Sequence, residues 1–129
     1  MIISINSFEK LPDHKHYVYH LQIQYKDWSV SIPKRYSEFL ELHHVMKVIK
    51  RNTGSVLPKF PKKMKIKYFL RLLREQDMQD RRQALENYMK ELQSGSIVTH
   101  SKYFVDFINL PIRYREEWLQ SKLLQSYDN

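Results

Sequence analysis

A cation and an aromatic ring stand side by side at Arg35 and Tyr36, where a strand-like pattern meets a helical one. The planar guanidinium of arginine presents a fork of donors that matches phosphate oxygens. The tyrosine ring offers a flat apolar face of the kind that packs on a sugar or cyclitol ring. The first N–H groups of a helix add donors for an anion. The pair indicates a site for a phosphorylated ring, although such neighbours also occur by chance and Tyr36 is equally compatible with core packing.

A second cation, Arg81, interrupts an otherwise apolar stripe on a predicted helix. The stripe repeats at helical spacing and consists of Met78, Leu85, Tyr88, Met89 and Leu92. Arg81 lies near the N-terminus of that helix, where the macrodipole disfavours a positive charge. A bound anion would favour the arginine there. The alternative is a snorkelling side chain that pairs with Asp77 or Asp80.

Lysines alternate with apolar residues from the second half of a proline-bearing loop that spans residues 57–67. An extended chain would show Lys63, Lys65 and Lys67 on one edge and Met64, Ile66 and Tyr68 on the other. Anionic lipid attracts the basic edge, and the bilayer can accept the apolar edge. An edge strand, a packed loop and a polyproline ligand for a partner domain are the alternatives.

The positive charge of the chain is concentrated in one segment. The net charge is +8, and residues 34–82 hold fourteen Lys or Arg against five Asp or Glu. The remaining residues hold eight basic and nine acidic side chains. On a solvated surface without a binding role, the charges would be spread along the chain. A concentrated basic region instead attracts a polyanion such as nucleic acid or an anionic membrane.

The elements that must position these residues form strands first and helices after. Ile3 and Ile5 begin a short alternating segment, and strict alternation over residues 17–25 predicts a second strand. Lys26-Asp27 is typical of a tight turn, after which Trp28 to Ile32 resumes the alternation up to Pro33. The pattern predicts an antiparallel meander with one buried face.

Helical spacing follows from Ser37, a candidate N-cap, to a stop at residues 52–54. A second helix is predicted from an N-cap at Asp77 to Gly95, and a third over residues 101–110, stopped by Pro111. The sequence therefore predicts an α+β fold. Its three-stranded antiparallel β-meander packs against a bundle of three to four helices, with the proline-bearing loop between the first two helices.

Composition excludes several classes of protein. The 129 residues suit one domain with a real core, and the chain has no cysteine and only two glycines. Disulfides, thiolate metal sites and phosphate-cradling glycine loops are therefore excluded, which suits a cytosolic protein. No apolar run approaches the roughly 18 residues of a spanning helix, and no signal-peptide pattern opens the chain. The histidines, at 14, 16, 20, 43, 44 and 100, lack metal-ligand spacing, so we expect no enzyme, catalytic residue, metal or cofactor.

Three motifs together resemble the phox-homology (PX) domain family. RYSEF at 35–39 is similar to its hallmark at the join of the third strand and the first helix. LPKFPKK at 57–63 is similar to its proline loop, and DRRQALENYMKEL at 80–92 to its arginine-bearing helix. The resemblance covers roughly residues 1–110, with order and spacing in agreement. Lys62 departs from the pattern, because a small residue commonly occupies that position.

The resemblance implies a phosphoinositide site with a role for each matching residue. Arg35 would hold the 3-phosphate with help from Ser37, and Tyr36 would pack beneath the inositol ring. Lys63 would meet the 1-phosphate, and Arg81 would bond the 4- and 5-hydroxyls. The membrane contact that we expect beside this site consists of Lys62, Met64, Lys65, Ile66 and Lys67.

The function that follows from the resemblance is recognition of phosphatidylinositol 3-phosphate on endosomal or vacuolar membranes, for trafficking or sorting. The protein would be cytoplasmic and peripherally attached, with protein partners contributed by a larger protein or complex. A PX-like protein-interaction module with weak or no lipid specificity is the first alternative. A nucleic-acid-binding basic domain is the second, but no recognition helix, zinc pattern or ribonucleoprotein motif supports it.

Residues 111–129 lie beyond the resemblance. Tyr114, Trp118, Leu119 and Leu123 predict an amphipathic helix in this C-terminal extension. Such a helix either folds back on the domain or begins a linker. The predicted domain organisation is therefore a PX domain at 1–110 followed by the extension.

Overall fold

The computed structural model describes residues 1–13, 16–64, 74–95, 97 and 101–128, with side chains up to residue 124. Three strands come first: β1 (Ile2–Lys10), β2 (Tyr17–Tyr25) and β3 (Trp28–Arg35). The described residues then form four helices: α1 (Tyr36–Thr53), α2 (Glu75–Ser94), α3 (Lys102–Phe107) and α4 (Ile112–Asp128). The predicted α+β class, with a three-stranded sheet before the helices, is confirmed.

The sheet is an antiparallel meander in the order β1-β2-β3. Lys26 and Asp27 connect β2 to β3, and Lys26 has a φ of 54°. Two-residue hairpin turns that match the twist of their strands require such left-handed backbone. The predicted turn is confirmed.

One face of the sheet is buried, as the alternation predicts. Its large apolar side chains are Ile3, Ile5, Tyr19, Leu21 and Ile23. Three positions separate Ile5 from Phe8 while only two separate their partners Leu21 and Tyr19, so β1 carries one extra residue there. This bulge keeps Phe8 on the same face as Ile5, with its ring 6.2 Å from that of Tyr19.

The third strand continues past the point where the alternating pattern stops. It runs through Pro33, which pairs with His20, and ends at Arg35. Because β3 is an outer strand of the three, a proline that lacks the N–H donor is tolerated in it. Arg35 therefore lies on the last residue of a strand, and α1 begins at the next residue.

The ends of α1 differ in how well the sequence predicts them. The helix begins at Tyr36, so Ser37 lies inside its first turn. The prediction of Ser37 as the N-cap is therefore wrong, because an N-cap precedes the first helical residue. At the other end Gly54 has a φ of 70° and its N–H donates to the Lys50 carbonyl at 2.8 Å. This left-handed glycine cap confirms the predicted stop.

The start of α2 also corrects a prediction. The helix begins at Glu75, and the carboxylate of Asp77 reaches back to accept the Arg74 N–H at 2.9 Å. Asp77 therefore caps the helix from inside the first turn, by accepting the N–H of the residue before the helix, and its prediction as the N-cap is wrong. Gly95 closes the helix as predicted, with its N–H 3.1 Å from the Glu91 carbonyl.

The chain divides into two compact units. The first unit comprises Met1–Tyr36 and Lys59–Lys90, and it contains the sheet and most of α2. Its buried apolar residues include the sheet face together with Met78, Leu85, Tyr88 and Met89. Among the described residues, no helix is long and apolar enough to cross a membrane.

The second unit comprises Ser37–Pro58 and Glu91–Asn129. In it, Phe39 of α1 meets Phe107 edge to face at 5.4 Å, and Phe104 of α3 stacks on Trp118 of α4 at 5.4 Å. Ser101 caps α3 by accepting the Phe104 N–H at 3.1 Å. The predicted C-terminal helix is present, and Trp118 packs it onto α3.

Candidate functional site

Tyr36 is the residue around which the candidate site is built. Its hydroxyl donates to the Pro61 carbonyl at 2.6 Å, so the first residue of α1 is joined to the proline-bearing loop. Its ring lies 5.5 Å from that of Phe60, which in turn meets Tyr88 of α2 edge to face at 4.9 Å. Burial raises the pKa of Tyr36, and the nearby Arg81 opposes part of that rise. The tyrosine is therefore a neutral hydrogen-bond donor held in an aromatic cluster.

Arg81 lies over the ring of Tyr36. The central carbon of its guanidinium is 3.9 Å from the ring centroid, which is close contact for a cation on an aromatic face. The residue is 5% exposed, so its charged head is not in bulk water as a snorkelling arginine would be. The Arg81 guanidinium thus lies against the aromatic ring that the first motif supplies.

The neighbours of Tyr36 in the chain are accessible to a ligand. Arg35 is exposed at the last position of β3, opposite Val18 in the register. Ser37 is exposed in the first turn of α1. A cation and a hydroxyl therefore flank the start of a helix, where backbone N–H groups favour anions.

The proline-bearing loop presents lysines just after its contact with Tyr36. Lys62 and Lys63 are both exposed, one and two residues beyond Pro61, and Met64 is half-buried. The predicted membrane contacts Lys65, Ile66 and Lys67 lie outside the described residues. For the part of the segment that the structure describes, the basic side chains face solvent and the apolar one is partly covered.

Four of the five predicted headgroup residues lie in the first unit. The structure brings Tyr36 and Arg81 into direct contact and joins the loop that carries Lys63 to Tyr36, and Arg35 precedes Tyr36 in the chain. Ser37, the fifth, follows Tyr36 directly. The sequence analysis does not identify Phe60 as part of the cluster, although its position between the two prolines of the loop is a usable signal.

Two of the described histidines each pair with one carboxylate. His16 lies 2.7 Å from Asp13 and His20 lies 3.2 Å from Glu9. Within the described ranges, no group of three or more His, Cys, Asp or Glu side chains could hold a metal ion. His43 is buried in α1, and burial, followed by Lys47 and His44, lowers its pKa to about 4. It is therefore uncharged at neutral pH.

Comparison with known proteins identifies the family. A sequence model of the PX domain matches residues 23–111. The chain belongs to the PX domain family. It is also similar to the X-ray structure of a designed CISK-PX domain, with 28% sequence identity and a TM-score of 0.69 over 84% of this chain and 98% of that chain. No curated protein matches it in sequence.

Membership of the PX domain family indicates the general function of this chain. PX domains are lipid-binding modules, generally without enzymatic activity, that recognise phosphoinositides and bring proteins to membranes as peripheral attachments. This PX domain is accordingly a phosphoinositide-binding, membrane-targeting module. The cluster around Tyr36 contains residues from all three motifs that resemble the family.

Proposed function

We propose that this PX domain binds phosphatidylinositol 3-phosphate through Arg35, Tyr36, Ser37, Lys63 and Arg81. One observation carries the proposal: Tyr36 touches both of the other motifs, through its hydroxyl bond to Pro61 and its ring contact with Arg81. Residues that are far apart in the chain thus converge on one ring beside a helix start. Recognition of a phosphorylated cyclitol requires an apolar face for the ring together with guanidinium and ammonium donors for the phosphates and hydroxyls.

Each residue has a distinct part in the proposed recognition. Arg35 binds the 3-phosphate by charge-assisted hydrogen bonds, with Ser37 and the first N–H groups of α1 as further donors. Lys63 meets the 1-phosphate as a point charge. Arg81 donates to the 4- and 5-hydroxyls, and its position on the Tyr36 ring supports this, because a preoriented fork loses less entropy on binding.

Membrane contact is proposed for the segment that continues from the headgroup site. Lys62, Lys65 and Lys67 are attracted to anionic lipid, at about 1 kcal/mol for each lysine near the surface. Met64 and Ile66 enter the bilayer, where burial of such a side chain contributes about 1.5–3 kcal/mol. The exposure of Lys62 and Lys63 supports this arrangement.

The cellular setting of the proposal is the cytoplasmic surface of endosomal or vacuolar membranes, where the module acts in trafficking or sorting. Protein partners are contributed by a larger protein or complex. The support for this setting is the proposed preference for the 3-phosphate. A preference for a different phosphoinositide would remove the support for this cellular setting.

The test is a liposome panel at constant total charge. Vesicles of neutral lipid contain one phosphoinositide each, and phosphatidylserine balances the charge between samples. We expect the protein to sediment with phosphatidylinositol 3-phosphate in preference to the 4- and 5-phosphate isomers. Binding that follows total negative charge and ignores phosphate position would contradict the proposal and favour a general basic surface. Binding to none of the vesicles would favour the protein-interaction alternative.

A further inference from the structure

Two side chains of α2 hold both backbone groups of a single residue in β1. The carboxylate of Glu86 accepts the Ile5 N–H at 2.8 Å, and the guanidinium of Arg82 donates to the Ile5 carbonyl at 2.5 Å. Ile5 is completely buried, and Glu86 is 8% exposed. These contacts join positions that lie 81 and 77 residues apart in the chain. We call the pair Arg82 and Glu86 the β1 clamp.

The β1 clamp acts where β1 needs partners. This strand is an outer strand of the sheet, so its side away from β2 presents N–H and C=O groups that the ladder does not use. Ile5 is also the last residue before the bulge that shifts the register. A buried backbone group without a partner is costly, and the β1 clamp supplies partners at this one position.

The ionised state of Glu86 fits its part in the clamp. Burial raises the pKa of this carboxyl, but the Ile5 N–H, Lys90, Gln83 and Arg82 together outweigh burial and leave the pKa below its ordinary value. Its second oxygen accepts from Gln83 at 3.2 Å and lies 3.6 Å from Lys90. The carboxylate is therefore charged at neutral pH and fixed on both oxygens.

The geometry of a helix connects the β1 clamp to Arg81. Residues 82 and 86 are four apart and lie on one face of α2, whereas Arg81 is rotated by about 100° from Arg82 around the axis. A helix fixed at two points on one face has a defined rotation and axial position. The same rotation directs Arg81 onto the Tyr36 ring at 3.9 Å. A small rotation of α2 about its axis that weakened the contacts of the β1 clamp with Ile5 would also move Arg81 away from the Tyr36 ring.

We propose that Arg82 and Glu86 are positioning residues for headgroup recognition, which hold α2 on Ile5 so that Arg81 stays on the Tyr36 ring. They act without touching the lipid. This inference rests on the proposed function, because the position of Arg81 affects binding only if Arg81 contacts the headgroup. The β1 clamp thereby sets the affinity of the site from a different face of the helix.

The experiment measures the affinity of the folded protein for soluble, short-chain phosphatidylinositol 3-phosphate by isothermal titration calorimetry. The variants are Arg82→Gln and Glu86→Gln, each first shown to be folded at the titration temperature by circular dichroism. Arg82→Lys retains a donor for the Ile5 carbonyl and tests rescue. Glu91→Gln makes the same change at an exposed glutamate of α2 and serves as the matched control.

We expect each glutamine variant at the β1 clamp to bind about three- to tenfold more weakly, with Arg82→Lys partly restored and Glu91→Gln unchanged. A purely structural role would lower the melting temperature and leave this affinity unchanged. A double-mutant cycle adds a measurement that a purely structural role of the β1 clamp would not affect, namely the coupling between Arg82 and Arg81 in lipid affinity. In the Arg81→Ala background, Arg82→Gln should cause no further loss, because the residue through which it acts is gone.

Failure of the clamp can be told from failure of the proposed function. Strong loss in Arg81→Ala, together with wild-type affinity in both glutamine variants, overturns the β1 clamp and leaves the headgroup site standing. Wild-type affinity in Arg81→Ala overturns the proposed role of Arg81 and the clamp with it. If one glutamine variant does not fold, the other and Arg82→Lys decide the outcome by the same criteria.

Discussion

The two compact units of this PX domain differ in the polar and charged side chains that they bury. Among the described residues, the buried charged side chains Arg81 and Glu86 both lie in the first unit. The second unit buries aromatic pairs, such as Phe104 on Trp118, and its buried polar residues are His43 and Ser101. Burying a charge is costly unless partners hold it, whereas aromatic packing stabilises directly.

The difference teaches which changes should affect which property. A unit that buries charges gives up some stability to hold those groups in a defined geometry, and in the first unit they hold the proposed headgroup site. The buried aromatic pairs of the second unit contribute stability directly. Substitutions of the proposed headgroup residues in the first unit should therefore affect lipid binding more than folding, and substitutions of the buried aromatic residues in the second unit should do the reverse.

The largest expected effect is on stability, in the second unit. Trp118 is 3% exposed and stacks on Phe104, so Trp118→Ala should lower the free energy of unfolding by about 3–5 kcal/mol. Chemical denaturation measures this loss, and Trp118→Phe should recover part of it. The affinity of the remaining folded protein for soluble lipid should be unchanged. An unaltered denaturation midpoint would mean that α4 is a linker that happens to lie on α3.

The next effect is on binding, in the first unit. Arg35 is exposed, so Arg35→Ala should leave stability within about 0.5 kcal/mol of wild type. Loss of its charge-assisted hydrogen bonds should weaken binding to phosphatidylinositol 3-phosphate about tenfold to a hundredfold in liposome sedimentation.

Arg51→Ala is the control for Arg35→Ala, since it removes an exposed arginine at the far end of α1 with the same change in net charge. We expect this control to bind nearly as wild type. Equal losses in the two variants would show that Arg35 contributes general charge and not a specific contact.

A third prediction separates the headgroup site from the membrane segment. Changing both Met64 and Ile66 to Ser should weaken liposome binding by about tenfold to a hundredfold, the apolar burial forgone. Binding to the soluble short-chain lipid should be nearly untouched, because the proposed headgroup residues remain. High salt should reduce the lysine-dependent part of liposome binding further.

The control for the membrane segment is Val56→Ser, which removes an exposed apolar side chain (87% exposed) outside that segment. It should bind liposomes as wild type does. Similar losses on soluble lipid and on liposomes in the double variant would show that Met64 and Ile66 shape the headgroup site and do not anchor the protein.

The smallest effect concerns the pH dependence of the second unit. The pKa of His43 falls from 6.5 to about 4 on folding, so the unfolded chain takes up a proton first as the pH decreases. This contribution to stability is therefore present above pH 6.5 and should decline by about 1 kcal/mol as the pH falls from 6.5 to 4. His43→Gln should flatten this decline, whereas the exposed neighbour in His44→Gln should retain it. Thermal melts across that range would contradict the assignment if both variants behaved alike.

Local patterns account for the parts of the fold that were predictable. Each of these parts depends on a few consecutive residues. They are the alternation over β2, the turn at Lys26-Asp27 and the glycine stops at Gly54 and Gly95. The boundaries that differ depend on more than local pattern. The strand continues through Pro33 because β3 is an outer strand, and the position of a strand in a sheet is a property of the whole topology.

The candidate site shows the same division. The three motifs point to Arg35, Tyr36 and Arg81 from sequence alone. Their convergence on one ring, by a bond to Pro61 and a guanidinium contact, requires loops to close in three dimensions. The β1 clamp is further from prediction, because its contacts span 77 and 81 residues and no periodicity marks them.

The central claim is that Arg81 is buried on Tyr36 in order to bind the headgroup. Calorimetric titration of wild type, Arg81→Ala and Arg81→Lys with soluble phosphatidylinositol 3-phosphate tests it most directly. We expect saturable binding by wild type, a loss of about tenfold or more in the folded alanine variant, and an intermediate affinity for lysine, which keeps the charge but not the fork. Equal affinity in all three proteins, with reduced stability in the variants, would contradict the claim and make Arg81 a purely structural residue.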